Sequence, residues 1–501
     1  MEANLQLLLY ASLPLLFIVL AARSHFKSKT YRLPPSPKPK FPLLGHLYLL
    51  KGKPLLHRTF HDLSKNLGPI FSLHFGSRLV VVVSSPSAAE ECFTKNDIIL
   101  ANRPRLIMGK HMGYNYTTMV QSPYGDHWRN LRKLATLEIF STNRLNTFLP
   151  IRRDEVNQLL RRLSKNSQNE FARVEIKSYL KELSFNIITR MIGGEKYFCE
   201  DVDNQAEIRY SREILLKVLS QGGVSHAADF VPLLRWIDYD GYEKGVEALS
   251  KKKDKILEDI IDKHRRGQSK NSMVDHLLSL QKSDPDYYSD TIIKGLMTVM
   301  ILAGTDTSVV TIEWAMSLLL NNPYALRKAR DEIDSVLGLD HLVDESDLSK
   351  LPYLENIISE TFRLYPASPL LVPHESSADC KIEGYDVPRG TILLVNAWSI
   401  HRDAKVWDDP LSFKPERFES GISAEPYKLM PFGMGRRSCP GSGLAQRVVG
   451  LALASLIQCF EWKRISEKEV DLAEGRGLTM PKLEPLEAMC RSRDIINKVL
   501  A

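Results

Sequence analysis

The sequence predicts a mainly α protein with a small β part, folded as a single large domain that follows an N-terminal transmembrane helix. Three observations support this class. Apolar residues recur at helical spacing from Met119 through the middle of the chain. Strand-like patterns are confined to short stretches around residues 71–83 and 382–396. After residue 42, neither a fixed-period repeat nor a Gly/Ser-rich linker divides the body.

Composition excludes several classes of protein. The 501 residues are 44% hydrophobic and 25% charged, which is ordinary for a globular protein with a large core. The net charge of +7 is mild, and no basic block resembles an arm that binds nucleic acid. The six cysteines lack C-x-x-C spacing, which argues against structural zinc and a disulfide framework and favours a reducing compartment. We expect the following to be buried as small hydrophobic residues: Cys92, Cys380, Cys459 and Cys490.

Residues 1–22 are predicted to form a transmembrane signal-anchor. The run from Leu5 to Ala22 is almost wholly apolar and just long enough to span a bilayer. Basic residues follow from Arg23 to Lys29, and they would stay on the cytoplasmic side with the rest of the chain. A cleavable secretory signal is the alternative, but its positive charge belongs before the apolar run.

Residues 23–42 are predicted to form a basic and proline-rich hinge in front of a domain that comprises residues 43–501. Five of the nine residues from Pro34 to Pro42 are proline, so this stretch cannot continue a helix. We expect a stiff, extended spacer that holds the domain at a set angle to the membrane.

Local signals predict several elements of the domain. A helix over Leu55–Leu67 ends at Gly68-Pro69. A hairpin turns at Gly76-Ser77, between strands at residues 71–75 and 79–83. Further helices are predicted over residues 86–93 and 242–265.

The longest predicted helix runs from Asp290 to Leu320, is apolar nearly all round and should be buried. At about 1.5 Å per residue it would be roughly 45 Å long and would cross the domain. Its middle, Ala303 to Ser308, carries polar groups that cost stability in a buried helix. The acid–alcohol pair Asp306-Thr307 suits proton delivery over a metal centre. The structural alternative is that the hydroxyls bond back to helix carbonyls.

A short stretch from Phe432 to Gly441 holds Cys439 between two arginines and Pro440-Gly441, in front of an apolar helix that begins near Leu444. A cysteine at a helix N-terminus next to arginines should have a depressed pKa and exist as thiolate. Such a thiolate can attack an electrophile or bind a soft metal such as haem iron. The alternative is a buried, inert cysteine in a glycine-rich loop.

Four ordered motifs resemble those of the cytochromes P-450. Phe432 to Gly441 matches that family's haem-binding loop, Phe-x-x-Gly-x-Arg-x-Cys-x-Gly, at every fixed position. Ala303 to Thr307 is similar to its oxygen-activating segment. Glu360-Thr361-Phe362-Arg363 and Pro415-Glu416-Arg417-Phe418 resemble its Glu-x-x-Arg and Pro-Glu-Arg-Phe motifs. The anchor and proline hinge also fit, so the resemblance covers essentially the whole chain and implies the cytochrome P-450 fold.

The resemblance implies a role for each matching residue. Cys439 would be the axial thiolate ligand of haem b iron, within a loop whose fixed positions include Phe432, Gly435 and Gly441. Asp306 and Thr307 would relay protons. Glu360, Arg363 and Arg417 would form a buried triad beneath the haem. The haem propionates would be bound by Trp128, Arg132, His374 and Arg437.

The resemblance also implies the reaction. The chain is similar to the plant microsomal A-type group, with isoflavone 2′-hydroxylases as the subfamily suggested. This implies a monooxygenase that uses NADPH and O2 to hydroxylate a lipophilic plant metabolite (a flavonoid or isoflavonoid, terpenoid, lignan or alkaloid). Thr307 favours hydroxylation over a bridge-forming or C–C oxidative variant. A reductase-independent hydroperoxide isomerase or dehydratase, and a haem sensor, remain the alternatives of other classes.

The implied partners are a substrate and a reductase at the endoplasmic reticulum membrane. Substrate contacts are expected from residues 107–118, 218–228, 297–303, 368–372 and 478–480. NADPH-cytochrome P-450 reductase would dock behind Cys439, attracted by positive charge. The candidate docking residues are Lys133, Lys405, Lys428 and Arg436.

Overall fold

The computed structural model describes residues 31–51, 55–167, 170–198, 206–222, 225–267, 271–421 and 427–496. The predicted anchor, residues 1–22, and the first part of the hinge lie outside these residues, as does Cys199. The helices are α1 (Tyr48–Lys51), α2 (Leu56–Leu67), α3 (Pro86–Phe93), α4 (Ile107–His111), α5 (Asp126–Leu134), α6 (Thr142–Thr147), α7 (Leu149–Asn166), α8 (Ile176–Gly193), α9 (Ala206–Gln221), α10 (Pro232–Ile237), α11 (Tyr242–Arg265), α12 (Met273–Ser283), α13 (Asp290–Gly304), α14 (Asp306–Asn321), α15 (Pro323–Leu337), α16 (Pro352–Leu364), α17 (Ala397–Ile400) and α18 (Ser442–Cys459).

The strands form small sheets. They are β1 (Ile70–Phe75), β2 (Arg78–Val83), β3 (Ala172–Glu175), β4 (His374–Glu375), β5 (Cys380–Ile382), β6 (Tyr385–Val387), β7 (Ile392–Val395), β8 (Phe460–Lys463) and β9 (Glu487–Ser492). The largest sheet has the order β1-β2-β7-β4, in which β2 and β7 run parallel. Val80–Val83 of β2 are fully buried and alternate between two apolar clusters, because helices or loops cover both faces of the sheet.

The helix α14 lies at the centre of the helical body. All of its residues from Ser308 to Leu320 are buried, and α8, α16 and α18 pack around it. This enclosure explains an all-round apolar sequence that would otherwise suggest a membrane span. By length and composition, residues 290–321 and 442–459 could each cross a bilayer, but 67% and 72% of their apolar windows are buried inside the protein.

Most element predictions are confirmed. The helices at 86–93 and 242–265 have the predicted bounds, and β1 and β2 form the predicted antiparallel hairpin. The long helix is interrupted once, at Thr305, and continues to Asn321. Cys92, Cys459 and Cys490 are buried as expected, whereas Cys380 is half-buried.

The described part of the hinge, residues 31–42, contains no helix, in agreement with its prolines. It does not stand free of the domain. Pro34 is buried, and the carbonyls of Pro34 and Pro35 accept hydrogen bonds from Ser72 Oγ and N at 2.8 and 2.7 Å. The start of the proline segment is therefore packed on β1.

Candidate active site

The Cys439 loop precedes α18 and closes on itself. The Cys439 N–H donates to the Phe432 carbonyl at 2.8 Å, and the Phe432 ring packs edge-on against Phe362 of α16. Gly435 has φ +67°, and a Cβ there would lie 2.5 Å from Asp97 Oδ1. Glycine at this position is thus required both by the backbone and by the close approach of Asp97.

The environment of the Cys439 thiol corrects one prediction. Burial raises its pKa, and the opposing effects of the Gly441 N–H and of Arg132 are smaller. The expected thiolate with a depressed pKa is therefore wrong for the chain alone, because dense protein around the sulfur disfavours charge. The residue is nevertheless exposed, so one side of it faces an opening. A bound metal cation would reverse the balance, since a coordinating thiol is deprotonated.

Arg437 and Trp128 pack together beside this loop. The Arg437 guanidinium lies 4.3 Å from the centre of the Trp128 ring and donates to the carbonyls of Ala101 and Ser122 at 2.7 and 2.6 Å. Trp128 Nε1 donates to Met119 O at 3.0 Å, which fixes the ring. Burial, with Arg103 and Arg132 nearby, lowers the pKa of Arg437 to about 8.

Arg103 completes the cationic cluster, and the neutral ring of His374 lies beside it. His374 is buried in β4, with Nδ1 2.7 Å from Leu100 O, and burial and then Arg103 hold its pKa well below the ordinary value. Arg103 was missed by the sequence analysis. It donates to Val372 O and Pro373 O at 2.9 and 2.7 Å, while its Nε is buried without a partner. Burial lowers its pKa to about 9.

These cations fit a ligand that carries carboxylates. Within the described ranges, none of Arg103, Arg132 and Arg437 forms a salt bridge with an acidic side chain. Half-buried cations without anions are costly, so the cluster favours the binding of an external dianion. Haem carries two propionates and an iron that a thiolate can bind, and the residues present therefore fit that group.

The structure brings the predicted triad together. Arg363 donates to both oxygens of Glu360, at 2.6 and 2.8 Å, and Arg417 Nε donates to Glu360 Oε1 at 3.1 Å. The side chains of Glu360 and Arg363 are fully buried. The remaining donors of Arg363 and Arg417 reach main-chain carbonyls, including those of Pro410 and Ser412. The triad thus fixes the irregular segment 408–418.

His401 connects the triad to the Cys439 loop and had no sequence signal. Its carbonyl accepts from Arg363 at 2.8 Å, and its Nε2 accepts from the Met430 N–H at 2.9 Å. Burial, with Arg402 and Arg363 adding to it, lowers the pKa of His401 to about 3. The neutral ring is therefore the form that holds the start of the loop.

The junction between α13 and α14 is open where the rest of the helix is buried. Gly304 is needed because a Cβ would lie 2.6 Å from Ile188 Cδ1 of α8. Ser184, also on α8, donates to the carbonyls of Gly304 and Thr305, at 3.3 and 2.8 Å, where the helix breaks. Ala303 is exposed although α13 is mostly buried, so it lines an internal opening.

The α5 helix connects α13 with the Cys439 loop. Leu131 of α5, the helix that carries Trp128, packs in one cluster with Phe140 and with Val299 of α13. A Cβ added at Gly441, two residues after Cys439, would lie 3.5 Å from the Phe140 ring. These contacts link the cationic cluster, the thiol loop and the helix that ends at the interruption.

The acid–alcohol pair is arranged differently from the prediction. Thr307 Oγ1 donates to Ala303 O at 2.8 Å, which is the structural alternative considered for it. Asp306 Oδ2 accepts a hydrogen bond from Thr479 Oγ1, which the sequence analysis had placed only in a substrate-contacting segment. The two predicted residues lie side by side, but the hydroxyl that the acid contacts comes from the far end of the chain.

The predicted substrate and docking residues have varied environments. Val372 and Leu478 are 38% and 48% exposed, as expected of residues that line an opening. Residues 223–224 of the segment 218–228 lie outside the described residues. Lys133 and Lys405 are exposed, and Lys428 is half-buried. Arg436 pairs with Asp97 at 2.7 Å, so its charge is largely compensated.

Comparison with known proteins agrees with this geometry. Residues 34–486 match the sequence profile of the family described as Cytochrome P450. The chain is 60% identical to Cytochrome P450 81Q32 of Catharanthus roseus over 99% of this chain and 98% of that protein. It is 53% identical to (+)-piperitol/(+)-sesamin synthase CYP81Q2 of Sesamum radiatum, over 100% of this chain and 99% of that protein. It is 51% identical to an isoflavone 2′-hydroxylase of Glycyrrhiza echinata, over 98% of this chain and 97% of that protein.

A solved structure supports the fold. The structure of a zebra fish cytochrome P450 with progesterone superposes with a TM-score of 0.74 at 24% identity, over 88% of this chain and 100% of that one. At this identity the likeness concerns the fold alone.

Proposed function

The chain belongs to the cytochrome P450 family, is accordingly a cytochrome P450 monooxygenase with a haem-thiolate cofactor, and from that premise we propose its substrate class and electron source. It inserts one oxygen atom of O2 into a lipophilic plant specialised metabolite, with electrons from NADPH through cytochrome P-450 reductase. The observation that carries the proposal is the half-buried cluster of arginines, which have no acidic partner among the described residues, beside the exposed Cys439.

Each residue has a defined part in this proposal. Haem, when bound, supplies binding and activation of O2 at its iron. Cys439 Sγ would hold the iron, in a loop that Phe432, Gly435 and Gly441 shape. Arg437, Arg132, Arg103 and His374 would hold the propionates, with Trp128 packed against Arg437. The triad and His401 keep the loop in place.

Asp306 and Thr307 serve proton delivery. The Asp306 carboxylate lies at the start of α14, where the helix has opened, and can accept and pass a proton. Thr307 Oγ1 donates to Ala303 O, which lines the opening, so its lone pairs remain available as acceptors for water or substrate.

The substrate is a lipophilic aromatic or terpenoid molecule, and hydroxylation is the proposed reaction. Two names of relatives motivate this class, the isoflavone 2′-hydroxylase and the lignan-forming sesamin synthase. Because the sesamin synthase name denotes a different product type, a bridge-forming oxidation is the second candidate. Product analysis after incubation with isoflavones and lignans, NADPH and reductase distinguishes the two outcomes.

The proposed location is the endoplasmic reticulum membrane, with residues 1–22 as anchor, 23–42 as hinge and 43–501 as the cytoplasmic catalytic domain. An exposed apolar surface supports it. Trp236 and Leu233 on α10 are 85% and 62% exposed, and Leu43 near the hinge is 68% exposed. Both segments border the turn between β1 and β2, where Gly76 N donates to Leu44 O and Ser77 N to Phe230 O.

Tryptophan quenching tests this location. Of the six tryptophans, all within the described residues, Trp236 alone is exposed, and the others are at most 9% exposed. In vesicles that contain brominated lipid, the full-length chain should show quenched fluorescence, and Trp236→Phe should lose most of the quenched component. Equal quenching in both proteins would contradict the placement.

The carbon monoxide difference spectrum of the reduced protein tests the centre itself. The full-length chain should show the thiolate-haem band, and Cys439→Ala should abolish it. A band that survives in Cys439→Ala would refute the assignment of the ligand. NADPH-independent turnover of a lipid hydroperoxide would instead support the isomerase alternative.

A further inference from the structure

The Asp306 carboxylate has a hydroxyl partner outside its own helix. Thr479 Oγ1 donates a hydrogen bond to Asp306 Oδ2 from a position 173 residues away in sequence. The neighbouring Thr307 is turned towards its own helix and donates to Ala303 O. The spatial acid–alcohol pair is therefore formed by Asp306 and Thr479.

The segment that carries Thr479 is laid along α14. We call residues 471–486 the C-terminal loop. Besides the Thr479 contact, Trp314 Nε1 donates to Met480 O at 2.7 Å, and the Leu486 N–H donates to Glu313 Oε1 at 3.0 Å. Asp306 and Glu313 are seven residues apart, about two helical turns, so these contacts follow one face of α14.

The backbone of the loop around Thr479 is tightly placed. Met480 is 1% exposed, and its N–H donates to Ala367 O at 2.9 Å. A Cβ on Gly477 would lie 2.9 Å from Thr479 O, so glycine there permits a close turn of the main chain. The Thr479 hydroxyl is thus presented from a fixed backbone, whereas Asp306 sits at a helix break.

We propose that Thr479 is the positioning residue of Asp306. Its charge-assisted hydrogen bond holds Oδ2 and keeps the carboxylate aimed for proton delivery, while Oδ1 has no hydrogen-bond partner among the described residues and can face the opening. This inference rests on the proposed role of Asp306 in the monooxygenase. Thr479 itself takes no part in the chemistry.

The first experiment uses the full-length, haem-loaded chain with reductase. Thr479→Val should lower the product formed per NADPH consumed several-fold, while substrate affinity from the haem spectral shift stays within twofold. Thr479→Ser should restore the ratio, because the hydroxyl remains. Trp314→Phe is the matched control: it removes another anchor of the same loop, should lower the Tm and should leave the ratio unchanged. A loss in Trp314→Phe equal to that in Thr479→Val would overturn the proposal in favour of simple loosening of the loop.

The second experiment combines Thr479→Val with Asp306→Asn. If Thr479 acts through Asp306, Thr479→Val should add no further loss of coupling in the Asp306→Asn background. The Tm shift of the double variant should also be smaller than the sum of the single shifts, which tests the contact without turnover. Additive effects in both measurements would overturn the inference. If Asp306→Asn alone leaves coupling unchanged, the proposed role of Asp306 in proton delivery is wrong. Non-additive Tm shifts would still support the contact between Asp306 and Thr479.

Discussion

The Cys439 side of the site and the α13–α14 junction differ in how their polar groups are bonded. On the Cys439 side, Arg363, Arg417 and His401 engage a carboxylate or main-chain groups inside the protein. At the junction, the helix is interrupted, Ala303 is exposed and the acid is held by one remote hydroxyl. The first region is braced for rigidity, and the second retains groups that can contact substrate, water and protons.

This difference predicts that substitutions on the two sides will fail in different ways. Those on the Cys439 side should first reduce the free energy of unfolding and the retention of haem. Those of the polar side chains at the junction should mainly reduce the product formed per NADPH. The following predictions test the contrast, from the largest expected effect on stability to the smallest.

Glu360→Gln should have the largest effect. It leaves the buried Arg363 guanidinium without its counter-charge, which costs roughly 3–5 kcal/mol in comparable pairs. Denaturant unfolding and haem content measure the loss. The matched control is Glu487→Gln, whose partner Arg173 is 61% exposed, and it should leave the unfolding free energy nearly unchanged because water screens the pair. Equal losses in the two variants would contradict the bracing role.

His401→Gln should alter the pH dependence of stability. The pKa of His401 is about 3 in the folded chain and lies below the ordinary value of 6.5. Between these pH values the imidazole is therefore protonated in the unfolded chain and neutral in the folded chain. Stability from this residue is complete above pH 6.5 and falls as pH drops, by about 2–3 kcal/mol at about pH 4.5. Glutamine can still accept from the Met430 N–H but does not titrate. The unfolding free energy of the variant should therefore decline less between pH 7 and 4.5, and parallel curves would refute this.

Gly304→Ala should destabilise by about 1–3 kcal/mol, because its Cβ would lie 2.6 Å from Ile188 Cδ1. Adding Ile188→Val removes that methyl group and should recover part of the loss. Gly245→Ala, on α11, is the control, since no atom lies within 4 Å of its new Cβ. The control should be stabilised by up to about 1 kcal/mol in thermal unfolding. A neutral Gly304→Ala would show that α8 can move away from the junction.

Thr307→Ala should have the smallest effect on stability, less than about 0.5 kcal/mol, because it removes only a bond back to Ala303 O of its own helix. Its product yield per NADPH should nevertheless fall several-fold. Parallel assays of unfolding and coupling check both parts. Unchanged coupling would favour the haem-sensor alternative.

Prediction from sequence succeeded where short-range patterns act. The helix at 86–93 begins at Pro86, which suits the first turn, and the β1–β2 hairpin follows from a turn between an alternating run and a β-branched run. The resemblance identified the Cys439 loop and the triad because their residues are contiguous or regularly spaced. Arg103 and His401 were not predicted as site residues, because an isolated arginine or histidine has no local signature of burial.

Two outcomes depended on the environment of a residue and not on its neighbours in sequence. The sequence indicated a depressed Cys439 pKa from adjacent arginines, but burial raises it. It also paired Asp306 with Thr307, whereas the folded chain pairs Asp306 with Thr479. Desolvation decides the pKa of Cys439, and a distant hydroxyl decides the partner of Asp306. Neither can be predicted from neighbouring residues, because both arise only when the chain folds.

The sequence by itself therefore determined the fold class, the family resemblance and the identity of the thiol, because periodicity and motif spacing are properties of neighbouring residues. Tertiary structure alone decided how charge is arranged. It brings arginines together without acidic partners among the described residues, keeps His401 neutral and places the Thr479 hydroxyl on Asp306. Electrostatic energies depend on burial and on through-space distance, and residues far apart in the chain supply both.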